Sequence, residues 1–368
     1  MDLKLSKILV THFRNLAPEL LEFSPKVNCV FGQNGNGKTN LLEAIYYLTN
    51  RKSFRKNASF PQMLSIDGED TEILFQALFL DQGLDQVSVA GRVKKDESTW
   101  YINQLISKKK LPLSSVFINP FDAGTFHTST SFRREWFDYH LGLLDAEYKK
   151  GLNKYTKLLR MKNSLLSEKP KHYLAQIEAL NLDLGLSMEL ITRKRQEFLS
   201  EIKGYYTKMF QELFSEKHDL EVLLVSKVLG RKASEITQML QDNLQNELKI
   251  GHSTVGIHRD DFILHFDGLN SFDYCSLGQQ KMAFLSLIFA YIELFRYKFM
   301  SYPLVLLDDV SGELDQIRWK NLIGFLKTKN FQVFITTANE NFRHELESID
   351  SAFKIHLSEG KVDKTEPK

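Results

Sequence analysis

Residues Gly32-Gln33-Asn34-Gly35-Asn36-Gly37-Lys38-Thr39 carry the spacing G-x-x-x-x-G-K-[ST]. The apolar residues Val27, Cys29, Val30 and Phe31 precede them, and Leu41, Leu42, Ala44 and Ile45 follow. Strand, glycine loop, helix is the context in which this pattern cradles phosphate, and it commits the chain to an α/β fold. Gly32, Gly35 and Gly37 let the backbone turn its N–H groups inward at the positive end of the following helix, where an anion is stabilised. Lys38 can reach the outer phosphates, and the Thr39 hydroxyl can ligate Mg²⁺. The loop therefore predicts a nucleoside triphosphate site.

The bulk numbers fit that reading. A chain of 368 residues holds two domains, or one large domain with an insertion. Its 43% hydrophobic and 26% charged residues match an ordinary globular protein. No apolar run is long enough for a membrane span, and Met1 to Val10 lacks a signal-peptide core. The only cysteines are Cys29, in the strand entering the glycine loop, and Cys275, so no structural disulfide and a cytoplasmic location are expected. Net charge is only +2, but its distribution is uneven. Arg51, Lys52, Arg55 and Lys56 cluster after the first helix. Between Lys149 and Lys171 stand eight positive residues against Glu168 alone. A helix face of that density suits a phosphate backbone, with Lys154, Lys157 and Arg160 as candidate contacts and Arg51 and Arg55 as a second group. An ordinary solvated helix surface would look the same.

Periodicity divides the chain into three stretches: 1–130, mostly short strands around one helix; 131–250, mostly helical; and 251–368, strand and helix again. Within the second, Leu174, Ile177, Leu180, Leu184, Met188 and Ile191 recur at helical spacing, which marks a packing stripe. A turn is expected at Lys169-Pro170-Lys171, giving an antiparallel helical pair, and a third helix over 233–248. The expected architecture is one α/β head with a mixed sheet, split by a helical arm.

The run Leu304-Val305-Leu306-Leu307-Asp308-Asp309 delivers two carboxylates at the C-terminal end of a buried strand, where α/β sheets place their ligands. Asp308 suits a Mg²⁺-holding role and Asp309 that of a group polarising an attacking water. Ser276-Leu277-Gly278-Gln279-Gln280-Lys281 opens a predicted helix. Ser276 and Gly278 there would offer a hydroxyl, N–H donors and a helix dipole to a terminal phosphate, although a plain N-cap would also explain the serine.

The Ser-x-Gly-Gln-Gln sequence resembles the signature of ABC-type ATPases, and the order of motifs along the whole chain is similar to that of the RecF family of bacterial DNA replication and repair ATPases. The matching stretches are His12-Phe13-Arg14-Asn15-Leu16, Gly32 to Leu42 with Glu43-Ala44, Ser53-Phe54-Arg55, Arg133-Arg134 with Trp136-Phe137-Asp138, Gly256 with His258-Arg259-Asp260-Asp261, Ser276 to Lys281, and Leu306 to Asp309 with Glu313-Leu314-Asp315. The resemblance implies an ABC-type P-loop head that binds ATP and Mg²⁺, the latter through Thr39 and Asp308. It implies a signature (Ser276, Leu277, Gly278, Gln279, Gln280) that contacts ATP held by a second copy, with Glu313 and Asp315 along the seam of the resulting ATP-dependent homodimer. Arg14 would touch the nucleotide. Binding of single-stranded, gapped or junction DNA, weak DNA-stimulated hydrolysis, SOS induction, and RecR and RecO as partners follow from the same resemblance.

Departures are visible. Ile257 stands where the family usually has proline before His258-Arg259-Asp260, and Phe117-Ile118-Asn119-Pro120-Phe121-Asp122 differs from the usual Phe-Ser-Pro-Glu-Asp. Asp309 occupies the place where transporter ATPases carry glutamate, and Ile335-Thr336-Thr337-Ala338-Asn339 lacks their histidine. Two other readings remain open on the sequence: a transporter motor domain, disfavoured by the long arm, and the ATPase subunit of an anti-phage nuclease, for which no nuclease segment follows Asp315.

Overall fold

The computed structural model describes residues 2–65, 72–81, 83, 85–119, 121–215, 217–310, 314–337, 340–349 and 352–366. In chain order its strands are β1 (Lys4–Thr11), β2 (Leu20–Glu22), β3 (Val27–Phe31), β4 (Ile73–Leu80), β5 (Gln86–Val93), β6 (Ser98–Ile102), β7 (Leu105–Ile106) and β8 (Ser115–Ile118). They continue with β9 (Leu220–Val225), β10 (Asp261–Phe266), β11 (Leu269–Asn270), β12 (Leu304–Leu307), β13 (Val333–Thr337), β14 (Phe353–Ser358) and β15 (Lys361–Glu366). The chain divides into two compact units.

The first unit comprises Met1–Asp122, Glu212–Phe214 and Phe295–Lys368. Runs such as Val27–Phe31, Leu304–Leu307 and Val333–Thr337 have no polar face, and all three strands are buried throughout. They form the centre of a six-stranded sheet in the order β15-β14-β3-β13-β12-β8. Its pairings are parallel except at the β14–β15 edge. A second six-stranded sheet, β2-β1-β4-β5-β6-β7, is antiparallel throughout. There the residues alternate, as in the inward Ile73, Phe75, Ala77 and Phe79 of β4. Helix α1 (Lys38–Asn50) supplies Leu41, Leu42, Ala44, Ile45 and Leu48 to a core that also takes residues from both sheets. The glycine loop is thus held by a helix buried on most of its surface.

The second unit comprises Ala123–Gln211 and Ser215–Leu294. It contains the helices Thr130–Leu144 and Ala146–Glu168 and all but the last three residues of the helix Tyr173–Phe214, with the turn between the last two at the expected Lys169–Lys171. Of the predicted stripe, Ile177, Leu184, Met188 and Ile191 are fully buried, whereas Leu174 is exposed. The helix expected over 233–248 is two, Ala233–Asp242 and Leu244–Ile250. Asn243 separates them, and its side-chain amide donates to Thr254 Oγ1 (2.7 Å). The sequence places the arm's end near residue 250. In the structure β10 pairs with β9 across that point, so 251–294 groups with the helical segment.

Candidate functional site

The glycine loop leaves β3 and enters α1 with Gly32, Gly35 and Gly37 at φ of 153°, 88° and 97°. Only glycine adopts such angles without strain, and at Gly32 a Cβ would lie 2.5 Å from the Leu357 carbonyl oxygen. The loop is braced from outside. Asn36 donates to Leu357 O (3.0 Å), and Asn15 donates to Gly35 O (3.0 Å) while accepting from Asn40 (2.7 Å). Gly360, in the β14–β15 turn, donates to Asn36 O (3.2 Å), and its own carbonyl accepts from Ala17 N (2.9 Å). Lys38 folds over the loop, donating to Gly32 O (2.8 Å) and Gln33 O (3.0 Å). Burial lowers its pKa, and the Asp309 and Asp308 carboxylates work against that.

β12 ends two strands away from β3, with β13 between them. Asp308 there accepts from the Thr39 hydroxyl (2.8 Å) and from the Thr336 hydroxyl (2.8 Å) at the end of β13. Burial raises the Asp308 pKa, the two threonine hydroxyls pull it down, and the neighbouring Asp309 raises it again. Asp309 has φ 46°, a left-handed conformation that aspartate tolerates. Its N–H donates to Thr336 Oγ1 (3.0 Å). Thr336 therefore joins the two carboxylate residues, a role that a plain β-strand pattern does not announce. The oxygens of Thr39 and Asp308 are hard donors side by side at the N-terminal end of α1, a sparse set of the kind that suits Mg²⁺.

Arg14 makes a two-pronged pair with the fully buried Glu43, Nε to Oε2 at 3.0 Å and Nη2 to Oε1 at 2.9 Å. Ser53 donates to the same carboxylate (2.6 Å), and Arg55 Nε lies 3.2 Å from it. Glu43 thus gathers residues of two other stretches singled out in the sequence, Arg14 from one and Ser53 and Arg55 from the other. This arrangement orients Arg14 through a carboxylate on the second turn of α1.

In the second unit, Ser276 and Gln279 form a capping box: Ser276 Oγ accepts from Gln279 N (3.3 Å), and Gln279 Oε1 accepts from Ser276 N (2.9 Å). Leu277 is 72% exposed at the tip, while Gln280 is buried and donates to Ser271 O (3.2 Å) and Cys275 O (3.2 Å). Gly278 sits in the first turn of the helix Leu277–Phe299. So Ser276 and Leu277 form the presented end, and Gln280 is the internal brace. Asp315 caps the helix Gln316–Thr328 through Arg318 N (2.9 Å). Glu313, like Asn339, lies outside the described residues.

The basic candidates separate into two kinds. Lys157 and Arg160 are exposed on the helix Ala146–Glu168, and Lys154 pairs with Asp183 (2.6 Å) at the surface. Lys162, counted in the sequence among that face's charges, is fully buried against Glu247 (2.7 Å). Arg51 and Arg55 are engaged within the first unit. His258 and Arg195 also work within their own unit: Tyr155 donates to His258 Nδ1 (2.6 Å), and Arg195 pairs with Asp260 (2.6 Å) and Asp138 (2.7 Å).

Residues 4–363 match the family described as RecF/RecN/SMC N terminal domain. A protein of Lactobacillus acidophilus named DNA replication and repair protein RecF is 32% identical over 91% of this chain and 92% of its own length. One of the same name from Staphylococcus aureus (strain USA300) is 29% identical over 97% and 99%. A solved structure described as the recombination mediator protein RecF-ATPrS in the RecFOR pathway superposes with a TM-score of 0.84 at 27% identity, covering 99% of this chain and 98% of the other. An Smc head domain from Pyrococcus furiosus has the same fold at 14% identity, with a TM-score of 0.58. With its ABC-type ATPase fold and its match over nearly the whole length, the chain belongs to the RecF family.

Proposed function

We propose that this chain is an ATP-dependent DNA-binding switch of replication and recombinational repair. The relatives named for DNA replication and repair support the process, and the solved RecF-ATPrS and RecF-ATP structures support the nucleotide. One observation carries the reading: Thr39, Asp308 and Thr336 share a hydrogen-bond network at the mouth of a glycine cradle roofed by Lys38.

In this reading the triphosphate takes the place of the loop carbonyls as partner to Lys38, and the N–H groups of the loop and of α1 receive the α- and β-phosphates. Mg²⁺, held by Thr39 and Asp308 together with phosphate oxygens, would neutralise charge on the phosphates. Asp309 polarises the attacking water. Its side chain is one methylene shorter than glutamate, which reduces its reach and makes turnover slow, as suits a timer. Ser276, Leu277, Gly278 and Gln279 present the signature to ATP held by a second copy, Glu313 and Asp315 lie along the seam, and ATP thereby drives homodimerisation. The dimer grips gapped or single-strand/duplex junction DNA, with Lys154, Lys157 and Arg160 on the arm as contacts, and hydrolysis releases it. RecO and RecR as partners, a part in SOS induction and a cytoplasmic site belong to the same proposal.

The test is Asp309→Asn. Sedimentation with ATP and gapped duplex should show wild-type-like nucleotide binding and dimerisation, while turnover falls by roughly 10²-fold or more, the scale of losing a general base. Unaltered turnover removes Asp309 from the mechanism, and a nucleotide-loaded protein that stays monomeric overturns the switch.

A further inference from the structure

Thr336 stands where a single hydroxyl reaches both acidic residues of the site. Strand β13 lies between β3 and β12 and pairs with each, Ile335 with Leu307 and Thr336 with Val30. Since β12 ends at Leu307, the residue after Ile335 stands beside the two aspartates that follow it. The Thr336 side chain is fully buried, so its hydroxyl must find its partners within the protein. A backbone N–H can only donate and a carboxylate can only accept, which fixes the direction of both bonds. Thr336 Oγ1 accepts from Asp309 N (3.0 Å) and gives its one proton to Asp308 Oδ1 (2.8 Å). Thr39 is placed differently. Its hydroxyl also donates to Asp308, at 2.8 Å to Oδ2 and 3.1 Å to Oδ1, but it is only half-buried, at the start of α1.

The backbone of Asp309 needs a hold of this kind. Its φ of 46° is left-handed, a conformation that a residue with a side chain keeps only when its surroundings fix it. From the other side of β12, Asp308 N donates to Ile118 O (2.9 Å) at the end of β8. The chain is thus held at Asp308 by one neighbouring strand and at Asp309 by the other. We infer that Thr336 is the positioning residue of the carboxylate pair. Its hydroxyl orients the Asp308 carboxylate beside Thr39 and, through the Asp309 N–H, aims the Asp309 side chain. The inference rests on the reading of Asp309 as the group that polarises water and adds to it the residue through which the two carboxylates move together. Valine in place of Thr336 keeps the shape but removes one hydrogen bond from each aspartate, whereas serine keeps the hydroxyl and loses only a methyl group.

The experiment uses the full chain as Thr336→Val, Thr336→Ser, Asp309→Asn and the Thr336→Val/Asp309→Asn double variant, with Thr336→Ala replacing valine should that variant not fold. Each is measured for ATP turnover and for the rise in melting temperature that ATP produces with Mg²⁺ and with EDTA. Thr336→Val should lower kcat by roughly 10²-fold, the scale of a misplaced catalytic group, with KM for ATP little changed. ATP in EDTA should stabilise it as it does wild type, whereas the further rise contributed by Mg²⁺ should shrink. Thr336→Ser should restore both, and in the Asp309→Asn background the valine should cause no further loss of turnover. Thr336→Val with the kcat of wild type, a serine variant as impaired as the valine one, or two losses that multiply in the double variant each overturns the inference. Asp309→Asn turning over like wild type is a separate result. It removes Asp309 from the reading above, and Thr336 then stands or falls on the Mg²⁺ increment in melting temperature.

Discussion

His258 shows how a residue can be conspicuous in sequence and structural in effect. Its Nδ1 accepts from Tyr155 and its Nε2 lies 3.3 Å from the Ser253 carbonyl, so the neutral ring with hydrogen on Nε2 satisfies both partners. Burial, reinforced by Arg259 and Arg134, pushes its pKa down to about 4. A histidine held neutral in the fold binds fewer protons than in the unfolded chain between its two pKa values. Its stabilising contribution is therefore complete above about pH 6.5, declines as pH falls, and is gone below about 4. Urea titrations of wild type should lose stability across that window, by at most about 3 kcal/mol from this group. His258→Gln should show a shallower acid limb, and an unchanged limb would mean the ring is not desolvated as described. Lys162 teaches the converse. Its position in a basic run suggested a solvent-facing charge, but it sits one helical turn from Leu158 and Leu166 on the buried stripe. There the Glu247 partner comes from a segment 85 residues away, invisible to local pattern.

Among the elements, strands β3, β12 and β13 and the long helices were legible because each satisfies one period over its whole length. The glycine loop was legible because its chemistry is local. The buttress around it was not. The β14–β15 turn reaches the loop only through the tertiary fold: Gly360, with φ 81°, lies so close to the Asn15 backbone carbonyl that a Cβ could not be accommodated. Gly360→Ala should therefore displace Asn15 and, through it, the Gly35 carbonyl. The expected result is a loss of stability of about 1–3 kcal/mol together with weaker nucleotide binding, measured by thermal melting with and without ATP. Melting and nucleotide shift both matching wild type would show that the turn does not support the loop. Thr336 was missed for a related reason. Two threonines ending an apolar strand read as β-propensity, and only the neighbouring strand reveals that one hydroxyl serves both Asp308 and Asp309.

At the scale of the whole molecule, the motif order carried the family because it spans the chain, whereas the partition of 251–294 depended on the long-range pairing of β9 with β10. The signature end is the place where a second copy is expected to matter. Ser276 and Leu277 are exposed there although the rest of the helix is largely buried. Ser276→Arg should leave the capped helix folded and ATP binding intact, at a cost of about 1 kcal/mol for the lost cap, yet abolish ATP-driven dimerisation in sedimentation. Dimerisation at wild-type affinity would place the seam elsewhere.

The anchoring of Arg55 to Asn40 has one more outcome. Asn40 accepts from Arg55 and donates to Asn15, which in turn holds the Gly35 carbonyl, so the segment following the helix and the glycine loop preceding it hang on one amide side chain.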